Sequence, residues 1–114
     1  MFIPHITIYT AKLEESIAFY QDVAKLQIVA DQRPRAPIVF LANGEGETRV
    51  ELIEAPQNAY TGSGIAIGFA TDDAEAERAR LAYLDPTPFM CPGPNVKFFF
   101  VKDPNGVTVQ LIQH

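Results

Sequence analysis

Hydrophobic and polar positions alternate along two stretches of the chain that are near copies of each other. Residues 48–54 read TRVELIE, and residues 107–113 read VTVQLIQ. Each stretch follows an apolar run that ends in a turn with glycine, at 38–44 in the first case and at 98–106 in the second. Strict alternation of this kind is typical of a half-buried β-strand. The pattern therefore predicts two similar pairs of strands, one in each half of the chain.

A second repeat lies upstream of each pair, where residues 5–10 (HITIYT) match residues 66–71 (AIGFAT). Both repeats recur after about 60 residues, which indicates a duplicated unit of about half the chain. In the first copy, His5, Thr7 and Tyr9 are predicted to share one strand face. In the second copy, the small residues Ala66, Gly68 and Ala70 share the matching face.

Helical periodicity follows the first strand of each unit. Apolar residues recur at helical spacing within 13–26, and we expect Thr10 to cap this helix. In the second unit, Asp72 followed by Glu75 predicts a capping box and a helix that ends near Leu84. The remaining strands are predicted at 27–32, 38–42, 49–54, 97–102 and 107–112. A short edge strand is expected near 89–91, because four prolines fall within 86–94.

The element order is β-α-β-β-β in both halves, which predicts an α+β fold. We expect two βαβββ modules, residues 1–57 and residues 62–114, within a single compact domain. Neither set of strands can bury both faces of its sheet alone. The helices should therefore cover one face of each sheet, and the opposite faces should form a curved, half-open sheet cup.

Composition narrows the class of protein. The net charge is −5 and no long basic cluster is present, so nucleic acid is not an expected partner. No apolar stretch is long enough for a membrane span, and no secretory signal precedes the first strand. The single cysteine, Cys91, excludes an intrachain disulfide and agrees with a reducing compartment. We expect a cytoplasmic protein that does not interact with membranes.

Three motifs then occur in a characteristic order: SIAFY at 16–20, VEL at 50–52 and DPNG at 103–106. This arrangement resembles the glyoxalase/bleomycin-resistance/extradiol-dioxygenase (vicinal oxygen chelate) superfamily over the whole chain. One local departure is Lys25, where that family usually has the glycine of an LGL signature. The resemblance implies a homodimer with a cup for a small molecule.

In metal-using relatives, four strand positions point into the cup and bind a divalent ion. The resemblance places these positions at His5, Glu51, Ala66 and Gln110. His5 and Glu51 carry suitable donor atoms, Ala66 carries none, and Gln110 offers only a neutral amide oxygen. Because a strong site needs about three protein ligands, we expect an incomplete metal site. A zinc, nickel, manganese or iron ion would have His5, Glu51 and Gln110 as its ligands.

Three functions agree with these features. The preferred one is binding of a small organic ligand, with the predicted cup-facing residues around it: Thr7, Tyr9, Arg49, Ala66, Gly68, Phe98 and Phe100. The alternative is a divalent-metal-dependent lyase or isomerase resembling lactoylglutathione lyase, with Glu51 as the catalytic group. A third is sequestration of a cationic antibiotic, which the acidic charge favours. A carboxylate at position 51 needs a partner, and Arg49 on the same face is an expected salt-bridge partner.

Overall fold

The computed structural model describes all residues, 1–114, and they divide into two compact units. The first unit is Met1–Thr61 and the second is Gly62–His114. Neither of the two helices has the length and apolar character that crossing a membrane would require.

The first unit contains four strands and one helix. Its elements are β1 (His5–Thr10), α1 (Leu13–Asp22), β2 (Gln27–Asp31), β3 (Ile38–Ala42) and β4 (Arg49–Glu54). The strands form one sheet in the order β1-β4-β3-β2, in which β1 is parallel to β4 and the other neighbours are antiparallel. A short 3-10 turn, Pro56–Asn58, follows β4.

The second unit repeats this topology. Its elements are β5 (Ala66–Ala70), α2 (Ala74–Arg80), β6 (Met90–Gly93), β7 (Val96–Lys102) and β8 (Thr108–Gln113). The strand order is β5-β8-β7-β6, with β5 parallel to β8, and β6 is the short edge strand that the prolines predict. Two open sheets, each in a βαβββ unit, confirm the predicted α+β fold class.

Each unit has its own hydrophobic core. In the first unit α1 buries the face that carries Ile17 and Tyr20, and the sheet contributes the inward-facing residues of its two central strands: Val39, Leu41, Val50 and Leu52. In the second unit the fully buried side chains include Leu81, Phe99 and Val109. The strand residues of both cores alternate with residues on the opposite sheet face, as a period of two requires.

The N-terminal caps of both helices differ from the prediction. Thr10 accepts a hydrogen bond over 2.9 Å from the N–H of Lys12, which is the residue before the helix. Thr10 therefore does not cap α1. The N-cap position is Lys12, whose side chain makes no capping bond. In the second unit Asp73, not Asp72, caps α2 by accepting from the Ala76 N–H over 3.0 Å. An N-cap residue has extended φ and ψ angles. Asp72 and Asp73 are the same residue type, so the sequence alone does not show which of them is the cap.

Both helices are shorter than predicted. Helix α1 ends at Asp22, and Lys25 adopts the left-handed conformation with φ of 56°. The Leu26 N–H then donates to the Tyr20 carbonyl over 3.0 Å, which is the closing bond of a Schellman-type helix end. Helix α2 ends at Arg80, and the residues up to Leu84 form a 3-10 turn instead.

Candidate functional site

The face of the first sheet that lies opposite α1 carries most of the predicted site residues of this unit. The register pairs His5 with Arg49, Thr7 with Glu51, and Phe40 also with Glu51. Paired residues on neighbouring strands project from the same face of a sheet. The structure therefore brings His5, Thr7, Arg49 and Glu51 together on one surface, as the alternation predicts.

The carboxylate of Glu51 is held by β1. Thr7 Oγ1 donates a hydrogen bond to Glu51 Oε1 over 2.5 Å, and His5 Nε2 lies 3.6 Å from the same oxygen. The Glu51 side chain is only 13% exposed, whereas that of His5 is 43% exposed. A hydroxyl that donates to a carboxylate forms a short, charge-assisted bond. The second oxygen, Oε2, has no hydrogen-bond partner in the chain.

Arg49 does not form the salt bridge with Glu51 that its position in the sequence suggested. Its guanidinium carbon lies 5.7 Å above the centre of the Phe40 ring. The His5 ring contacts the same phenyl ring edge-on, with 5.9 Å between the ring centroids. Arg49 is opposite His5 in the register and not opposite Glu51, so stacking on the aromatic ring replaces the expected ion pair.

The matching face of the second sheet is built from small and aromatic residues. The register pairs Ala66 with Thr108, and Gly68 and Phe100 with Gln110. Ala66 and Gly68 are exposed. The rings of Phe98 and Phe100 pack edge to face with 5.5 Å between their centroids.

Gln110 occupies part of the space that the small residues of β5 leave open. Its Oε1 atom lies 2.8 Å from the position that a Cβ atom on Gly68 would have. The amide of Gln110 has no hydrogen-bond partner in the chain. At Gly68 the nearest side chain is therefore this amide.

The two units thus carry different side chains at matching positions of their sheets. Thr7 is opposite Glu51 in the first unit, and Gly68 is opposite Gln110 in the second. Sequence reasoning identified Glu51 and Gln110 but missed the roles of their strand neighbours. The signal was present in the repeat itself, since Thr7 and Gly68 are matching positions of the two copies.

The donors for a metal ion are fewer than a complete centre needs. His5 and Glu51 lie close enough to share an ion, but the first unit adds no third donor of this kind. No group of three or more His, Cys, Asp or Glu side chains that could hold a metal ion occurs in residues 1–114. Ala66 carries only a methyl group, and Gln110 carries a neutral amide. The residues present therefore do not fit the full ligand set of a strong site.

The chain is similar in fold to several solved structures. Lactoylglutathione lyase from Agrobacterium tumefaciens is 23% identical with a TM-score of 0.69, over 96% of this chain and 91% of that chain. TnmS3, an antibiotic binding protein from Streptomyces sp. CB03234, is 22% identical with a TM-score of 0.72, over 97% and 93%. The trypanothione-dependent glyoxalase I of Leishmania major is 22% identical with a TM-score of 0.78, over 99% and 86%. At these identities the similarity shows the fold alone.

A comparison with curated protein sequences gives no significant match. The family model described as Glyoxalase/Bleomycin resistance protein/Dioxygenase superfamily matches residues 2–111. This match spans nearly all of both βαβββ units, and the fold agrees with it. The chain therefore belongs to the glyoxalase/bleomycin resistance protein/dioxygenase superfamily.

Proposed function

We propose that this protein binds a small organic ligand on the open faces of its sheets, without a fully equipped metal centre. The observation that carries the proposal is the hydrogen bond from Thr7 Oγ1 to Glu51 Oε1. It fixes a largely buried carboxylate on a sheet face and leaves its other oxygen available. A ligand with an N–H or O–H donor would bind to Oε2 of Glu51.

The burial of Glu51 supports this role. A carboxylate that is removed from water costs free energy unless its oxygens accept hydrogen bonds. Thr7 satisfies one oxygen, and the Glu51 side chain as a whole is only 13% exposed. A hydrogen bond from a ligand N–H or O–H group to Oε2 of Glu51 would therefore contribute more binding free energy than one to a fully solvated carboxylate. Phe40 lies beside Glu51 in the register and offers an apolar surface for the rest of the ligand.

Benzylamine tests this proposal, because it combines an N–H donor with an aromatic ring. Titration into ¹⁵N-labelled protein should shift the amide signals of Thr7, Phe40 and Glu51. Glu51→Gln should weaken binding by about tenfold, since hydrogen bonds to a charged group contribute about 1.5–3 kcal/mol.

Glu54→Gln is the matched control for this titration. It removes the same charge from the same strand, but Glu54 projects from the opposite face of β4. The control variant should bind benzylamine like the wild type. Equal affinities for Glu51→Gln and Glu54→Gln would contradict the proposal.

A metal-dependent lyase or isomerase is the second candidate, and the 3.6 Å distance between His5 Nε2 and Glu51 Oε1 is the observation that favours it. Metal analysis of protein purified without chelator or nickel resin separates the two candidates. The binding function predicts less than one divalent ion per chain. One tightly held ion per chain, together with hemithioacetal turnover that Glu51→Gln abolishes, would support the lyase instead.

The family resemblance also leads us to propose that the chain is a homodimer. The mass of one chain is 12.6 kDa. Light scattering coupled to size-exclusion chromatography should therefore give about twice this value, and a monomeric mass at micromolar concentration would contradict the proposal. The cytoplasmic location stays a prediction.

A further inference from the structure

The second unit contains a cavity of about 560 Å³ that Glu51 does not line. Its apolar walls are Leu84, Phe100 and Val101, and its polar lining residues include Asp85, Lys102 and Thr108. Pockets of this volume with mostly apolar walls and a few polar groups are typical of small-molecule sites.

Two hydrogen-bond donors lie side by side in this cavity. Lys102 on β7 and Thr108 on β8 are directly opposite each other in the antiparallel register. Side chains at such positions have Cβ atoms about 4.5–5.5 Å apart. Neither the ammonium of Lys102 nor the hydroxyl of Thr108 has a partner in the chain. A lysine and a threonine whose Cβ atoms are this close can both donate to one carboxylate.

The adjoining wall is apolar and held in place. Phe100 is two residues before Lys102 on the same strand face, and its ring packs against Phe98. The Thr87 N–H donates to the Phe100 carbonyl over 3.0 Å, and the Phe100 N–H donates to Thr87 Oγ1 over 2.9 Å. These two bonds attach the segment after Leu84 to β7. A wall that is already fixed lowers the entropic cost of binding.

Asp85 restricts the charge of the ligand. Its carboxylate has no partner in the chain, and its backbone lies in the left-handed region with φ of 54°. The protein as a whole carries a net charge of −5, so it offers no general attraction for anions. A second anionic group near Asp85 would be repelled. The cavity therefore favours a molecule with a single carboxylate.

We infer that this cavity binds an apolar or aromatic monocarboxylate, with its carboxylate on Lys102 and Thr108 and its body against Phe100. The inference goes beyond the proposed function, because it concerns a different class of ligand and a cavity that Glu51 does not line. Binding of a donor at Glu51 and binding of a carboxylate at Lys102 are separate events with separate tests.

Titration of ¹⁵N-labelled protein with 3-phenylpropionate tests the inference. Signal shifts should concentrate at Asp85, Phe100, Lys102 and Thr108. The uncharged 3-phenylpropionamide has nearly the same shape and should bind about tenfold more weakly, because it loses a charge-assisted hydrogen bond. Phenylsuccinate, which adds a second carboxylate, should also bind more weakly than 3-phenylpropionate.

Substitutions of Lys102 and Thr108 test whether these side chains bind the carboxylate of 3-phenylpropionate. Lys102→Gln should weaken binding of 3-phenylpropionate by about tenfold, and Thr108→Val by about threefold. Lys102→Arg keeps the charge and should retain binding. Lys12→Gln is the matched control, since Lys12 is an exposed lysine of the first unit whose ammonium has no partner.

Three results would overturn the inference. They are no binding of 3-phenylpropionate by the wild type at millimolar concentration, equal binding of the amide, and equal affinities for Lys102→Gln and Lys12→Gln. Thermal unfolding of each variant shows whether it is folded. If Lys102→Gln does not fold, the affinity of Lys102→Arg for 3-phenylpropionate gives a second comparison with the wild type. Glu51→Gln should leave binding of 3-phenylpropionate unchanged, so this test is independent of the proposed function.

Discussion

Thr7 Oγ1 donates to Glu51 Oε1 over 2.5 Å across the parallel pair β1–β4. The same pair of positions in the second unit is Gly68 and Gln110, on β5 and β8. There the hydroxyl is absent and the amide of Gln110 lies over the glycine. The duplicated backbone thus holds a carboxylate in one copy and accommodates a neutral amide in the other. The difference between the copies lies in side-chain chemistry, not in topology.

Thr7→Val should lower the free energy of unfolding by about 1.5 kcal/mol, because it leaves the Glu51 carboxylate without its donor on β1. Urea unfolding at neutral pH measures this change. Thr7→Ser is the matched control, since it keeps the hydroxyl and should retain most of the stability. Thr7→Val keeps the methyl group of threonine, so a stability equal to that of the wild type would contradict this role of the hydrogen bond.

Gly68→Ala should change the free energy of unfolding by less than about 0.5 kcal/mol, because the stabilisation that alanine gives over glycine inside a strand is offset by an overpacked contact. The new Cβ atom would lie 2.8 Å from Oε1 of Gln110, so this flexible side chain must move. In a Gln110→Ala background, where this contact is absent, the same substitution should stabilise the protein by about 0.5–1 kcal/mol. Thermal unfolding of the two single variants and the double variant gives the coupling between the positions. An equal effect of Gly68→Ala on the free energy of unfolding in both backgrounds would contradict the contact.

The sheets were well predicted from the sequence because alternation is a direct consequence of strand geometry. The predicted bounds of β3 (Ile38–Ala42) and β4 (Arg49–Glu54) match the structure at both ends. These are the two central strands of their sheet, and each has one face buried, which gives the strongest pattern. Helix ends were less well predicted. The cap at Asp73 and the end of α1 before Lys25 depend on backbone angles that several residue types can adopt.

The residues that belong to the site were predicted better than the contacts between them. Alternation correctly placed His5, Arg49 and Glu51 on one sheet face, but it could not show which of them interact. Arg49 stacks on Phe40, and the donor to Glu51 is Thr7. These choices depend on strand register and side-chain rotamers, which arise from the packed sheet. The cavity beside Lys102 and Thr108 was missed for the same reason, since the position of Asp85 depends on a left-handed turn.

Lys25→Gly should raise the free energy of unfolding by about 1 kcal/mol, because a residue with a Cβ atom is strained in the left-handed region. Lys25 has φ of 56° at the end of α1. For a domain of this size the change corresponds to an increase of about 4 °C in the midpoint of thermal unfolding. Lys25→Ala is the control, because it removes the same side chain but keeps the Cβ atom. Lys25→Gly should therefore be clearly more stable than Lys25→Ala, and equal midpoints would contradict the explanation.

Asp31 and Arg33 give the protein a pH-dependent contact at the end of β2. Arg33 Nε and Nη2 donate to the two carboxylate oxygens of Asp31 over 2.9 and 2.7 Å, and the Arg33 N–H donates over 3.0 Å. These bonds lower the pKa of Asp31 to about 2. Because the folded-state pKa lies below the ordinary value, the contact contributes stability above about pH 4 and loses it as the pH falls through 2.

Arg33→Gln should therefore return the pKa of Asp31 toward its ordinary value, measured from the carboxyl carbon signal in an NMR titration. The variant should be less stable than the wild type at pH 7, and the two proteins should approach equal stability near pH 1.5. Arg35→Gln removes an exposed arginine from the same loop and should change neither property. Arg33 also donates to Glu14 over 2.7 Å, and Glu14→Gln separates that contribution. A stability difference between Arg33→Gln and wild type that stayed constant from pH 7 to pH 1.5 would assign the effect to loop packing rather than to the carboxylate.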